Sequence, residues 1–319
     1  MAKLVLIDGN AILHRAFHAL PPLTTKSGEP INAVYGLVSM LLRVIQDLKP
    51  THIAVAFDEK EKTFRHKALP TYQAQRPPMA NELSSQFDKA KSFLSACHIP
   101  IYSRPGYEAD DVIGTIASRA ISDTKIPDTR KKSNIEYPVS NISEVIIVTG
   151  DRDQLQLVND KVGIKLYMPV VGLANAKLYS EAETKERMGV PASLIDDYKA
   201  LVGDSSDNYS GVPGIGPKTA ITLLEKYGNF ENIYKNLDKI PEATSKKLKE
   251  GEELGRLSKK LATIVRDVPV EANFEAMECW RVDSPEVLSL FQEFGFKTLT
   301  ERVKNVGKQI ESDKQTRLF

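Results

Sequence analysis

Three short apolar runs, each closed by an acid, constrain this chain more than any other feature of its sequence. Leu4-Val5-Leu6-Ile7 leads into Asp8-Gly9-Asn10, His52-Ile53-Ala54-Val55-Ala56-Phe57 into Asp58, and Val145-Ile146-Ile147-Val148-Thr149 into Gly150-Asp151. Unbroken runs of this kind suit strands covered on both faces. Helical patterns at about 33–48, 82–98 and 109–121 separate them, and that alternation predicts an α/β fold with a parallel sheet flanked by helices. The strands then deliver Asp8, Asp58 and Asp151 to the carboxyl edge, where open α/β sheets bind their ligands. A single acid after a strand is an ordinary turn residue. Three in register are better explained as a site.

More acids join them. Glu108-Ala109-Asp110-Asp111 opens the third helical pattern, Asp153 follows Asp151, and Asp204-Ser205-Ser206-Asp207 lies further along. Glu108 and Asp111 would share a helix face, with Asp110 on its neighbouring edge. Taken singly, Asp110 and Asp111 read as helix-capping acids and Asp204 and Asp207 as surface turn residues. Taken together, so much like charge needs cations to compensate it. Oxygen ligands without His or Cys beside them in sequence favour Mg²⁺ or Mn²⁺ over zinc. Two such ions ~4 Å apart would serve phosphodiester hydrolysis, activating water and stabilising both the attacking and the leaving oxygen.

Bulk charge does not speak for nucleic acid, because 43 Lys+Arg against 42 Asp+Glu leave a net charge of +1. The local distribution does. Lys60, Lys62, Arg65, His66, Lys67 and Arg76 interleave with Phe64 and Tyr72 before Arg76-Pro77-Pro78 closes the stretch. Further on, Gly211-Val212-Pro213-Gly214-Ile215-Gly216-Pro217-Lys218-Thr219 joins two helical patterns. A Gly-Ile-Gly turn before a helix N-terminus offers backbone amides to a phosphate, and Lys218 adds charge. It is not a P-loop, since Pro217 separates the glycine from the lysine and no strand precedes it. A DNA-backbone hairpin remains, with a plain interhelical turn as its alternative. Segment 122–144 reads as a polar surface loop. From about 176 the patterns are helical and rich in Lys and Glu, and from about 306 the chain reads as a loose, charged tail. The two cysteines, Cys97 and Cys279, have no metal-type spacing, and no apolar stretch approaches the ~20 residues of a membrane span. A cytoplasmic monomer without a leader sequence is expected.

Several stretches resemble the 5′-nuclease domain of bacterial DNA polymerase I and the related flap endonucleases. They are Leu6-Ile7-Asp8-Gly9-Asn10, Arg15-Ala16-Phe17-His18-Ala19, Phe57-Asp58, Thr63-Phe64-Arg65-His66, Gly106-Tyr107-Glu108-Ala109-Asp110-Asp111, Val148-Thr149-Gly150-Asp151-Arg152-Asp153, Gly203-Asp204-Ser205-Ser206-Asp207-Asn208 and Gly214-Ile215-Gly216. The resemblance implies a PIN-like flap-endonuclease core over 1–175 with a helical arch at about 60–90. A helical DNA-binding region with a helix-three-turn-helix would follow over 176–305, and a flexible tail over 306–319. It implies metal ligation by Asp8, Asp58, Glu108, Asp110, Asp111, Asp151, Asp153, Asp204 and Asp207. Arg65, Tyr72 and Arg76 become arch residues that steer the scissile phosphate. Arg15, Phe17, Gly211, Gly214, Ile215, Gly216, Lys218 and Thr219 become DNA contacts, with K⁺ assisting at the 211–219 hairpin. Where the family usually carries a lysine after the arch tyrosine this chain has Gln73, which would either lower the rate or pass that role to Lys67 or Arg76. The implied function is a two-metal nuclease acting on 5′ flaps, nicked DNA and RNA primers. A structure-selective ribonuclease and a catalytically weak DNA-binding module are its rivals. Finally, Gln315-Thr316-Arg317-Leu318-Phe319 resembles a sliding-clamp-binding peptide, with Gln315, Leu318 and Phe319 as its anchors.

Overall fold

The structure, a computed structural model, describes residues 2–125, 141–171 and 175–316. Its centre is a six-stranded sheet of β1 (Ala2–Asp8), β2 (His52–Ala56), β3 (Ile101–Tyr102), β4 (Ile142–Val148), β5 (Ile164–Val171) and β6 (Asn175–Tyr179), in the order β3-β2-β1-β4-β5-β6. The three strands read from sequence are its adjacent middle strands, aligned so that Asp8 pairs with Ala56 and Ile7 with Val148. The connection runs from β1 to β2 on one side and returns to β4 on the other, so a switch point opens between β1 and β4. The expectation of a parallel sheet needs one correction, because β6 lies antiparallel to β5. Only three residues separate them, and a parallel return needs a crossover of about ten or more.

Both faces of the middle strands are covered, which explains their unbroken apolar runs. Leu4, Leu6, Val145 and Ile147 face one core, and Val5, Ile7, Ile146 and Val148 the other. On the second face lie α1 (Gly9–Ala19), α2 (Asn32–Leu48) and, beyond the short α3 (Phe64–Ala68) and α4 (Asn81–Ser84), α5 (Phe87–Ala96). The helix α6 (Ala109–Lys125) covers the first face. The arch region is thus short helices joined by turns. Segment 122–144 is helical to Lys125 and strand from Ile142, and residues 126–140 lie outside the described residues.

The helical part comprises α7 (Glu181–Met188), α8 (Ile195–Val202), α9 (Pro217–Tyr227), α10 (Phe230–Lys235), α11 (Glu242–Glu250) and α12 (Glu252–Ala262), followed by α13 (Phe274–Glu278), α14 (Pro285–Phe294) and α15 (Lys297–Thr316). It does not pack as one unit to residue 305. Trp280, Val282, Val287, Phe291, Leu299 and Val303 return to the far face of the sheet and join the core of α2 and α5. Nor is the chain loose from 306. The helix continues to Thr316, with Val306 buried and Ile310 packed on the same core. Leu299, Val303, Val306 and Ile310 recur at helical spacing, so one face has apolar partners as far as Ile310. Of the clamp-like peptide, the Gln315 side chain and residues 317–319, with Leu318 and Phe319, lie outside the described residues. Among the described residues no helix is long and apolar enough to cross a membrane.

Candidate active site and metal centre

A cavity of about 410 Å³ opens at the carboxyl edge, lined among others by Asp8, Asp58, Glu108, Asp110, Asp151, Asp153 and Asp207. Local chemistry places each. Asp8 ends β1 and caps α1, its Oδ1 accepting the Ala11 N–H at 2.9 Å. Its Oδ2 accepts from Thr149 Oγ1 at 2.8 Å and Gln154 Nε2 at 3.0 Å. Gly9 is required next, since a Cβ there would stand 2.4 Å from the Phe57 ring. Asp58 follows β2 and accepts the Ala109 N–H of α6 at 2.7 Å, tying that helix start to the sheet. Asp151 and Asp153 sit in the turn after β4, with the Asp153 N–H donated to Asp151 Oδ1 at 2.8 Å.

Gathered carboxylates repel one another and have lost water, and both effects oppose ionisation. Burial, and then the charges of Asp58 and Asp151, push Asp8 up to about 7. Burial raises Glu108 to about 7 and Asp153 to about 6, although Arg65 and Lys199 respectively counter it. Asp110 is raised as well, by burial and by Asp151 and Asp8. All four of these acids line the cavity.

Asp111 does not join them. It is fully buried, and its carboxylate takes two bonds from Arg65, at 2.7 and 2.9 Å, plus the N–H groups of Glu108 and Val265 at 3.1 and 2.9 Å. These four donors engage both of its oxygens. Arg65, expected to steer phosphate, is spent in the same place. It is 2% exposed and also donates to the carbonyls of Leu261 and Thr263, clamping α3 to α6 and to the end of α12.

Asp204 and Asp207 ride on a loop closed by glycines. Gly203 and Gly211 both have positive φ, and a Cβ on either would strike the other's backbone at 2.8 and 2.4 Å. That contact brings Asp204 opposite Tyr209 as a two-residue bridge. Carboxylate oxygens of Asp153, Asp204 and Asp207 come within 4.8 Å of one another, close enough to share one cation. Lys199, which the sequence reading missed, donates to both Asp153 and Asp204. Only the tertiary approach of α8 to the strand-end turn could have revealed it. Gln154 was missed for the same reason.

The arch residues meet this loop. Tyr72 Oη donates to Asp207 Oδ2 at 3.2 Å, Gln73 Nε2 to Oδ1 at 3.2 Å, and Arg76 to Oδ1 at 2.6 Å. Arg76 is half-exposed over the cleft, whereas Lys67 lies exposed on α3 and away from it. Lys60 and Lys62 line the cleft in its place. Two histidines, His14 and His66, also reach the wall. His66 Nδ1 is engaged by Thr63 at 2.9 Å, and burial lowers the pKa of His14.

Of the expected DNA contacts, Arg15 lies over Gly150, 3.6 Å from where a Cβ would stand, beside the Asp151 turn. Phe17 is half-buried against the core. In the hairpin Ile215 is buried, and the Gly211 N–H is taken by Ser258. Those two build the turn, while Gly214, Gly216 and Lys218 are exposed and Thr219 is half-exposed. The donor set fits hard divalent cations, because oxygen ligands of adjacent carboxylates suit Mg²⁺ or Mn²⁺.

Carboxylates massed at the switch point of a mostly parallel sheet, beside the basic side chains of Lys60, Lys62 and Arg76, define the class: an acid-centred α/β nuclease. The family described as "5'-3' exonuclease, N-terminal resolvase-like domain" matches residues 3–189, and "5'-3' exonuclease, C-terminal SAM fold" matches 190–285. The chain belongs to the 5′-3′ exonuclease family and is a phosphodiester hydrolase. DNA polymerase I of Caldicellulosiruptor bescii is 40% identical over 301 residues, which is 94% of this chain and 33% of that protein. DNA polymerase I of Bacillus subtilis is 37% identical over 312 residues, 98% of this chain and 33% of that protein. The chain thus spans about a third of the length of these relatives. Among solved structures, T5 5′-exonuclease with bound zinc has a TM-score of 0.63 at 20% identity, covering 95% of this chain and 98% of that one. Flap endonuclease-1 of Methanococcus jannaschii gives 0.58 at 16% identity, covering 98% and 94%. They share the fold.

Proposed function

We propose that this chain is a structure-specific 5′-nuclease. It hydrolyses phosphodiester bonds in 5′ flaps and at the 5′ ends of duplex DNA, RNA primers included, with two divalent cations, in replication and repair. The observation that carries this reading is the meeting of two acid groups, Asp8 with Asp110 and Asp151 on one side of a shared cleft and Asp153 with Asp207 on the other, with a carboxylate oxygen of Asp204 within 4.8 Å of the last two. Bound Mg²⁺ or Mn²⁺ would supply water activation and stabilise the charge of the leaving oxygen. Asp8, Asp58, Glu108, Asp110 and Asp151 would hold one ion, and Asp153, Asp204 and Asp207 the other. Arg76, half-exposed over the cleft, presents its guanidinium to the phosphate. The exposed amides of Gly214 and Gly216, with Lys218, offer a handle for duplex backbone at the start of α9, where K⁺ could share the load. Solved relatives lend support, since the catalytic core of Rad2 was captured with a DNA substrate. Docking to a sliding clamp through 315–319, action as a monomer and a cytoplasmic location belong to the same reading.

A gel assay on 5′-flap, nicked and gapped duplexes, with DNA and RNA 5′ strands, tests it. Cleavage near the junction in Mg²⁺ and none in chelator is expected. Asp151→Asn should abolish cleavage and leave duplex affinity nearly intact, whereas Asp111→Asn should chiefly cost fold stability, about 3–5 kcal/mol as for a broken buried ion pair. Undiminished cleavage in chelator would refute the cation mechanism.

A further inference from the structure

One side chain buried behind the acid cleft touches two carboxylates at once and belongs to none of the roles above. Gln154 lies in the 3₁₀ turn Asp153–Leu157 and has no exposed surface. Its Nε2 donates to Asp8 Oδ2 at 3.0 Å and to Asp110 Oδ1, with Thr149 Oγ1 at 3.4 Å completing the contact. A primary amide carries two N–H donors on one nitrogen, so it can bridge two acceptors that would otherwise repel. Its other end is left without a partner: Gln154 Oε1 is buried and makes no hydrogen bond among the described residues. Leaving a buried carbonyl unpaired forfeits its hydration without replacement. The amide is therefore oriented by the two acids and not by its own satisfaction, since the opposite orientation would set its oxygen against both carboxylates.

We propose that Gln154 is a positioning residue that holds Asp8 and Asp110, which belong to different elements, at the spacing a divalent cation requires. Asp8 comes from the end of β1 and Asp110 from the first turn of α6, and among the described residues Gln154 is the side chain that hydrogen-bonds to both. Groups that orient metal ligands without touching the metal typically govern affinity by 10–100-fold. A neighbouring glutamine shows the contrast. Gln156 is also buried, yet it serves the main chain, donating to the carbonyls of Asp153 and Ala262 and accepting the Ile264 N–H.

This inference rests on the reading that Asp8 and Asp110 bind a cation. Mn²⁺ titration of the whole chain, followed by calorimetry and by the electron paramagnetic resonance of free Mn²⁺, tests it with no substrate present. Gln154→Met keeps the bulk and removes the donors, and should weaken the tighter Mn²⁺ site by about 10–100-fold. Gln156→Met should lower the melting temperature in chelator while Mn²⁺ affinity stays within about threefold, as befits a residue that bonds no ligand oxygen. If the unaltered chain binds no Mn²⁺, the cation reading fails and this inference with it. If it binds and Gln154→Met binds as well or better, the inference alone is overturned. Equal loss of affinity in both variants would also overturn it, marking a general effect of disturbing the turn.

Discussion

At the scale of the residue, one side-chain type takes different work according to its partners. Asp110 and Asp111 are adjacent on α6, yet one opens into the cleft beside Gln154 and the other is consumed by Arg65 and two backbone amides. The cleft acids also set a pH dependence. Asp8 rises from 3.8 to about 7, Glu108 from 4.5 to about 7 and Asp153 from 3.8 to about 6. Between about pH 4 and 7 the folded, cation-free chain therefore binds more protons than the unfolded one, and its stability falls as pH rises through that window. A cation bound by these acids would replace those protons. Thermal melts should show Mg²⁺ raising the melting temperature more at pH 8 than at pH 5, by about 1–2 °C for each kcal/mol recovered. Equal shifts at the two values would show that these acids do not bind the ion.

At the scale of the element, the arch turn and the Asp204–Asp207 loop are fastened to each other. Beyond the Asp207 contacts, Asn208 Nδ2 donates to the Thr71 carbonyl at 2.7 Å, Gln75 donates to Asn208 Oδ1 at 2.9 Å, and the Gln73 N–H reaches the Asp207 carbonyl at 3.0 Å. Gln73 and Asn208 both adopt positive φ to make this fit. Asn208→Gly keeps that backbone freedom and deletes the side-chain bonds, at about 1 kcal/mol for each bond lost. Hydrogen exchange of amides 71–76 should accelerate about fivefold or more, with the core strands unchanged. Unchanged exchange there would mean that the latch carries no stability of its own. Gln73 also shows why a departure from a family pattern is hard to judge from sequence. It brings no cation to the cleft, but its amide does occupy Asp207.

At the scale of the whole molecule, the far end of the chain supports the sheet that carries the site. Phe291 is 1% exposed and stacks on Phe93 of α5, with ring centroids 5.8 Å apart. Phe291→Ala should cost about 3–5 kcal/mol in urea unfolding, because the cavity cannot be refilled by a rigid core. Cleavage at low temperature should persist, since Phe291 packs on the face of α2 and α5 and does not line the cleft. Lost activity in a fully folded variant would tie this face to the site.

The sequence by itself determined the middle of the sheet and the position of its acids. An apolar run ending in an acid specifies both a doubly covered strand and a charged edge, and that is local information. Asp8, Asp58 and Asp151 reached that edge for this reason. The short or polar strands β3 and β6 were not legible, because pairing with a neighbour makes them strands where their own pattern does not. Spacing also could not separate Asp110 from Asp111, or find Lys199 and Gln154. Whether a carboxylate meets a guanidinium, an amide or open space depends on which distant segment packs against it. Only the tertiary structure brings Arg65 to Asp111, α8 to Asp153, and the strand-end turn to Asp8 and Asp110.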